Sequence, residues 1–319
     1  MMVLRSMLFV PGNSMRMITK AVTLPADAII LDMEDAVPLP DKATARIIIR
    51  DSIQAVRSGG SYVFVRVNAL PTKLTGEDIR YTIVKGLDGV MLPKTEAGAD
   101  VIELDNMLLD AEKSQGLEIG SLKIVALIES AKGVVNAYQI ASASPRLAAV
   151  CFGAGDYYGD LRRNVASLSP EQTELLYARS QVVNSSRAAG VQAIDTPFFG
   201  LLTDKEGLIT EAMRALQLGF KGKLLIHPGQ IEPVNRAFLP SPEETEHARK
   251  VVAAFEEAQS RGLGAISFEG KMIDYMNYRQ AKDLVNSVDL ITDKETGGGQ
   301  TSPVSLSSFF TPTRSGGVK

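Results

Sequence analysis

The chain has one cysteine, two histidines and no surplus of basic over acidic residues, and each shortage removes a class of function. Cys151 alone cannot form an intrachain disulfide or a multi-thiolate zinc site, which fits a reducing compartment and leads us to expect a cytoplasmic protein. It lies in the apolar run 147–152, where a buried structural thiol is expected rather than a nucleophile. His227 and His247 are not at metal-motif spacing, which argues against a zinc hydrolase or zinc finger. With 34 Lys+Arg against 37 Asp+Glu the formal net charge is −3, and no basic run is interleaved with aromatics. Nucleic-acid binding therefore has no electrostatic footprint. Long hydrophobic runs are also missing: 28–31 and 124–128 are strand-sized, far short of the roughly 18 residues a membrane helix needs. The first residues lack the apolar length and small-residue cleavage pattern of a secretory signal. Neither membrane nor nucleic acid is an expected partner, and chemistry must fall mainly to carboxylates and arginines.

What is present is an ordinary globular balance, 45% hydrophobic and 22% charged, enough for a large core. Eight short β-type runs recur at 7–10, 28–33, 62–67, 89–93, 123–128, 147–152, 191–194 and 223–226. Between them lie segments of helical periodicity, among them 44–58, 99–113, 133–143, 170–189 and 205–218, several ended by glycine. The alternation predicts an α/β fold, a (β/α)₈ TIM barrel with a C-terminal helical appendage. A doubly wound open sheet is the alternative, but no Gly-x-Gly-x-x-Gly follows the first strand and no Walker A loop occurs. We divide the chain into a barrel, 1–240, an appendage, 241–290, and a tail, 291–319. The appendage reads as a charged amphipathic helix over 242–261 and a second helical stretch over 268–286. The tail is rich in Gly, Ser, Thr and Pro and is expected to be flexible, with Phe309-Phe310 free to dock.

In a barrel the chemistry sits at the C-terminal ends of the strands, so the polar residue closing each run is informative. Strand two closes on Asp32-Met33-Glu34-Asp35, strand three holds Arg66 and closes on Asn68, and strand four closes on Lys94. Strand five closes on Glu129, strand six on Gly153-Ala154-Gly155-Asp156, strand seven on Asp195 and strand eight on His227-Pro228. Glu129 and Asp156 terminate adjacent strands and can converge on a hard divalent ion such as Mg²⁺, which takes one or two carboxylates plus waters and substrate oxygens. The same spacing is served if each acid caps a helix or pairs with Lys132 or Arg162. Arg66 interrupts an apolar run and needs an anionic partner, either a substrate carboxylate or enolate or an ion-pair acid among Asp32, Glu34 and Asp35. Lys94 and Asp195 are open between orienting neighbours and touching substrate. After strand one, Arg16 and Lys20 share a helix face beside exposed backbone amides, which makes either a phosphate site or an ordinary solvated face.

Several strings occur in order along these strands: Arg5-Ser-Met-Leu-Phe-Val-Pro-Gly12, Ile30-Leu-Asp-Met-Glu-Asp-Ala-Val-Pro38, Val65-Arg-Val-Asn68 and Leu92-Pro-Lys94. They continue with Leu127-Ile-Glu-Ser130, Phe152-Gly-Ala-Gly-Asp156, Ile226-His-Pro-Gly-Gln230 and Gly270-Lys-Met-Ile-Asp274. The set resembles the citrate lyase β-subunit-like (CitE-like) family of acyl-CoA lyases, in the HpcH/HpaI aldolase superfamily, over about residues 5–285. The final string brings the chain nearest to the free-standing malyl-CoA and citramalyl-CoA lyases, because the β subunit of multi-subunit citrate lyase often lacks that appendage.

The resemblance implies a metal site of Mg²⁺ on Glu129 and Asp156, and a substrate contacted by Arg66 with Asp32, Glu34 and Glu129 around it. It also implies coenzyme A near Arg16, Lys20, His227 and Pro228, and a homotrimer or hexamer in which the appendage covers a neighbour. The expected reaction is Mg-dependent cleavage or formation of a 3-hydroxyacyl-CoA such as malyl-, citramalyl- or citryl-CoA, giving acetyl-CoA or a close homologue plus a 2-oxo acid. Arg66 is expected to stabilise the thioester enolate and Asp274 to act as general acid/base, the alternative for Asp274 being a cap on a following helix over 275–284. A CoA-independent hydroxy-oxo-acid aldolase and a subunit of a larger citrate lyase complex are the rival readings. Thr196-Pro197-Phe198-Phe199, where many relatives have Gly and an aromatic, and the bulky Tyr157-Tyr158 are expected to shape the acyl pocket.

Overall fold

The computed structural model describes residues 2–169 and 171–296. Eight parallel strands close into a barrel in sequence order: β1 (Ser6–Pro11), β2 (Ala28–Asp32), β3 (Tyr62–Arg66), β4 (Gly89–Leu92), β5 (Lys123–Ile128), β6 (Leu147–Phe152), β7 (Gln192–Asp195) and β8 (Gly222–Leu225). Closure is made by β8 on β1, with Lys223 opposite Ser6 and Leu225 opposite Leu8. Each strand lies within one or two residues of an expected run. The helices are α1 (Met15–Ala21), α2 (Lys42–Ser58), α3 (Thr75–Thr82), α4 (Gly98–Gln115), α5 (Ala131–Val135), α6 (Ala137–Ala141), α7 (Ala154–Asp160), α8 (Leu176–Ala189), α9 (Lys205–Leu218) and α10 (Ile231–Ala237).

Two helical expectations are revised. The segment 133–143 is split into α5 and α6 at Asn136, whose side-chain amide donates to the Glu96 carbonyl at 2.8 Å and anchors the break. The segment 170–189 becomes helical as α8 only at Leu176, after a left-handed residue at Gln172 and a single 3₁₀ turn; Pro170 lies outside the described residues.

Side chains alternate along each strand, and the interior set is apolar: Met7, Ala28, Ile30, Phe64, Met91, Val125, Leu127, Ala149, Cys151, Ile194 and Leu224. Cys151 is thus a core residue, and burial pushes its thiol up. Two positions beyond Ile30, Phe64, Leu127, Cys151 and Ile194 stand Asp32, Arg66, Glu129, Gly153 and Thr196. The alternation that fills the core therefore also aims three charged residues at the barrel's C-terminal mouth.

Contacts divide the described chain into this barrel unit, residues 2–235, and a C-terminal unit, residues 236–296. The second unit holds α11 (Pro242–Ser260), a hairpin of β9 (Ile266–Phe268) and β10 (Lys271–Ile273), and α12 (Tyr275–Glu295). The stretch 268–286, expected to be helical throughout, therefore opens as a hairpin. Glu269 and Gly270 both take positive φ, 51° and 79°, and two left-handed residues between paired strands are the geometry of a tight type I′ turn. Val251, Phe255 and Ile273 form the unit's small core, with Phe255 stacked on Tyr278 at 4.9 Å between centroids. Helix α12 carries residues 291–295, which the sequence had assigned to the tail; Phe309-Phe310 lie outside the described residues. No helix among the described residues is long and apolar enough to cross a membrane.

Candidate active site

At the mouth, Asp32 and Arg66 end neighbouring strands in direct register. Asp32 accepts from Arg66 Nε (2.7 Å) and Nη2 (2.6 Å), a two-point fork. Its remaining acceptor positions take the amides of Glu34 (2.9 Å) and Ala36 (3.3 Å), so the Asp32 carboxylate is fully engaged inside the protein. The guanidinium lies over the Phe9 ring at 4.6 Å, and its Nη1 stands 3.1 Å from Glu34 Oε2. Burial works against the Arg66 charge, but Asp32, Glu34 and Glu129 more than offset it and hold it charged. Two of its five N–H donors are spent on Asp32, and the buried Glu34 Oε2 has no hydrogen-bond partner.

Glu129, just past β5, is 7% exposed. Its Oε2 accepts from the Lys94 backbone amide at 2.9 Å, and among the described residues no cationic group stands within ion-pair distance of it. Burial pushes its carboxyl up to about 8; the Lys94 amide and the more distant Arg66 charge oppose this, while Glu34 and Asp156 add to it. The room it occupies exists because residue 153 is glycine. A Cβ there would stand 2.6 Å from Glu129 Cγ and 2.8 Å from Oε1. Asp156 sits in the first turn of α7 rather than at the strand end, half exposed, with Lys94 Nζ at 4.0 Å. The Ala154 amide in that turn donates to the buried Thr196 hydroxyl at 2.9 Å, and Phe199 lies against Gly155. Neither Asp156 nor Glu129 pairs with Lys132, which bonds Glu96 instead.

Lys94 itself is left-handed, φ 49°, which breaks the strand alternation and turns its ammonium across the mouth to Glu34 Oε1 and, at 3.4 Å, to Asp35. Sequence spacing gave no signal for this, because the alternation it relied on stops at Pro93.

Asp195 is not at the mouth. It stands one residue out of phase with Ile194, so it faces the surrounding helices, where it accepts from Arg179 (2.9 and 2.6 Å) and from Lys223 (2.8 Å) in a fully buried cluster with Glu211. Thr196, just past β7, continues the inward phase of Ile194, and sequence reasoning assigned it only to the acyl pocket. Arg16 and Lys20 are exposed on α1. His227 is exposed and Pro228 half-buried in the loop after β8, a turn fixed by Gln230 Oε1 accepting from the amides of Ile226 (3.0 Å) and His227 (3.1 Å). In the C-terminal unit, Asp274 caps α12: its Oδ1 accepts from the amides of Met276 (2.9 Å) and Asn277 (3.0 Å).

The donor set at the mouth is all oxygen. Among the described residues no three His, Cys, Asp or Glu could together hold a metal. A site with two carboxylates, one of them buried without a cationic partner, fits a small hard ion that keeps most of its ligands as water or substrate oxygens.

The family described as HpcH/HpaI aldolase/citrate lyase matches residues 5–228. Citrate lyase subunit beta of Leuconostoc mesenteroides subsp. cremoris is 43% identical over 270 residues, 85% of this chain and 88% of that protein. The Escherichia coli K12 citrate lyase subunit beta is 42% identical over 286 residues, 90% of this chain and 93% of that one, so the match runs beyond the barrel unit. L-malyl-CoA/β-methylmalyl-CoA lyase of Cereibacter sphaeroides is 32% identical over 305 residues, 90% of this chain and 95% of that protein. Among solved structures, protein CitE of Mycobacterium tuberculosis in complex with magnesium, acetoacetate and coenzyme A superposes with TM-score 0.68 at 30% identity, covering 89% of this chain and 98% of that one.

Proposed function

The chain belongs to the HpcH/HpaI aldolase/citrate lyase family, and from that premise we propose that it is a Mg²⁺-dependent lyase that cleaves, or in reverse forms, a 3-hydroxyacyl-CoA thioester of the malyl-, citramalyl- or citryl-CoA class. The observation that carries this reading is the pairing, in one mouth, of a buried carboxyl without a cationic partner, Glu129, and a guanidinium splinted by Asp32, Arg66. Magnesium in the relative's structure supports assigning the ion to this family's mouth.

Glu129 and Asp156 would hold the ion, which when bound supplies Lewis acidity toward the substrate's carboxylate and hydroxyl oxygens. Arg66 presents its unspent N–H donors to the thioester oxygen, where negative charge develops as the C2–C3 bond breaks; a well-placed donor of this kind is worth roughly 3–4 kcal/mol. Asp32 fixes the guanidinium plane and does not itself meet substrate. Asp274, delivered by a neighbouring copy in a homotrimer or hexamer, takes the C3 hydroxyl proton and returns it to C2, so acetyl-CoA or its homologue and a 2-oxo acid leave with atoms balanced. Arg16, Lys20 and the His227-Pro228 loop receive coenzyme A phosphates and adenine.

The test is release of 2-oxo acid by the purified chain alone from malyl-, citramalyl- and citryl-CoA, with and without MgCl₂. Release that chelator abolishes is expected. No release from any of the three overturns the free-standing reading. A second reading is favoured by the higher identity to citrate lyase β subunits than to malyl-CoA lyase: activity that appears only with partner subunits would assign the chain to such a complex.

A further inference from the structure

Among the described residues, Lys94 contacts both candidate metal carboxylates, each by a different group. Its backbone amide donates to Glu129 Oε2 at 2.9 Å, and its ammonium stands 4.0 Å from Asp156 Oδ2. Both are possible because the backbone turns left-handed immediately after Pro93, a conformation that carries strain for any residue with a Cβ. The neighbouring main chain holds that turn: the Thr95 amide donates to the Leu127 carbonyl at 3.0 Å, and the Thr95 hydroxyl donates to the Leu92 carbonyl at 2.9 Å. The ammonium then meets Glu34 Oε1 and Asp35 Oδ1.

The charges around it are unequal. Among the described residues, Asp32, Glu34, Asp35, Glu129 and Asp156 are set against three nearby cations, Arg66, Lys94 and Lys42; Arg66 is paired with Asp32 and Glu34, and the Lys42 ammonium donates to the Met33 and Glu34 carbonyls at 2.6 and 2.8 Å. Of the three, Lys94 is the cation whose ammonium stands near Asp156, on a side chain that is 43% exposed. The ammonium already stands 4.0 Å from Asp156 Oδ2, so a divalent ion held by Asp156 would meet it as a like charge.

We infer that Lys94 divides two jobs between its amide and its ammonium: the amide positions Glu129 as a ligand, while the ammonium competes with the divalent ion for the mouth's carboxylates and sets how tightly that ion is held. The inference rests on the assignment of Glu129 and Asp156 as the ion's carboxylates. It places Lys94 among the positioning residues and gives its charge a definite sign of effect, since deleting the ammonium strengthens ion binding. A lysine that merely braced Glu34 and the site would have the opposite effect on removal.

The experiment is calorimetric titration of the purified chain with MgCl₂. Lys94→Met removes the charge and keeps the stem, and Lys94→Gly removes the whole side chain while keeping the amide and relieving the left-handed strain. Both should bind Mg²⁺ more tightly by about tenfold, the effect of one nearby unit charge partly screened by water. Lys94→Arg should stay within about twofold of the parent, because the charge is kept. Unchanged or weaker binding in the Gly and Met variants overturns the inference, and the Gly variant alone decides it where the Met variant does not fold. Glu129→Ala and Asp156→Ala serve as controls. If they abolish binding while the Lys94 variants weaken it, only the competition fails; if they leave binding unchanged, the assignment of the metal carboxylates fails and takes this inference with it.

Discussion

Arg66 shows how one side chain serves structure and chemistry with different donors. Asp32 takes Nε–H and one Nη2–H, which fixes the plane, and the rest of the fork remains for a ligand. Lysine at this position would keep the charge but lose the fork. Arg66→Lys should therefore lower kcat by about 100-fold while moving the melting temperature by only a few degrees, read from steady-state kinetics beside a thermal melt. A variant that melts earlier yet keeps its rate per molecule would reduce Arg66 to an ion-pair partner. Asp32, Arg66 and Glu129 were legible in the sequence because a two-residue period carries the core pattern straight to the mouth. Asp195 was misplaced because one residue of phase at the end of β7 turns it to the opposite face. The role of Lys94 was hidden because a left-handed residue breaks the period altogether.

Among the elements, the bottom of the barrel is stapled by a charge network that no local pattern reveals. Glu112 of α4 accepts from the amides of Gly120 (2.8 Å) and Leu122 (2.9 Å) at the entry to β5, and from both terminal nitrogens of Arg146 (2.7 Å each) just before β6. Arg146 also bonds Asp105 at 2.6 Å. These partners are 34 and 41 residues from Arg146 in sequence, so spacing could not pair them. Burial tends to raise the Glu112 carboxyl, and Arg146 with the two amides overcomes that, holding it at about 2 against an ordinary 4.5. The folded value is depressed, so the stabilisation is complete above the ordinary value and disappears as pH falls through the folded one. Glu112→Gln should cost roughly 3 kcal/mol near neutrality, because it leaves Arg146 short of a buried counter-charge. In urea unfolding the gap between parent and variant should close from about pH 5 toward about pH 2. A gap independent of pH over that interval would mean that the ionised carboxylate is not what stabilises the barrel floor.

For the whole molecule, the question is where the proton goes, and Asp274 makes it answerable. The motif Gly270-Lys-Met-Ile-Asp274 was visible in the sequence, but its apolar spacing suggested a helix and concealed the tight turn at Glu269-Gly270. The structure divides that apolar set: Ile273 is buried in its own unit's core, while Met272, Tyr275 and Met276 around Asp274 are 76%, 55% and 56% exposed. Apolar side chains gathered about an exposed carboxylate are what a neighbouring copy would cover, and covering would desolvate the acid and improve it as a base. Asp274 also caps α12, and asparagine is as good a cap as aspartate, so Asp274→Asn separates the two duties. The variant should keep its melting temperature and lose at least about 100-fold in kcat, the usual weight of a positioned acid/base. Mixing it with Glu129→Ala, expected to be inactive by itself, under conditions of subunit exchange should restore part of the activity, because some pairings join an intact Glu129 to an intact Asp274. Exchange verified by mass without any recovery would exclude delivery from a neighbour, and full activity of Asp274→Asn alone would leave capping as its only role.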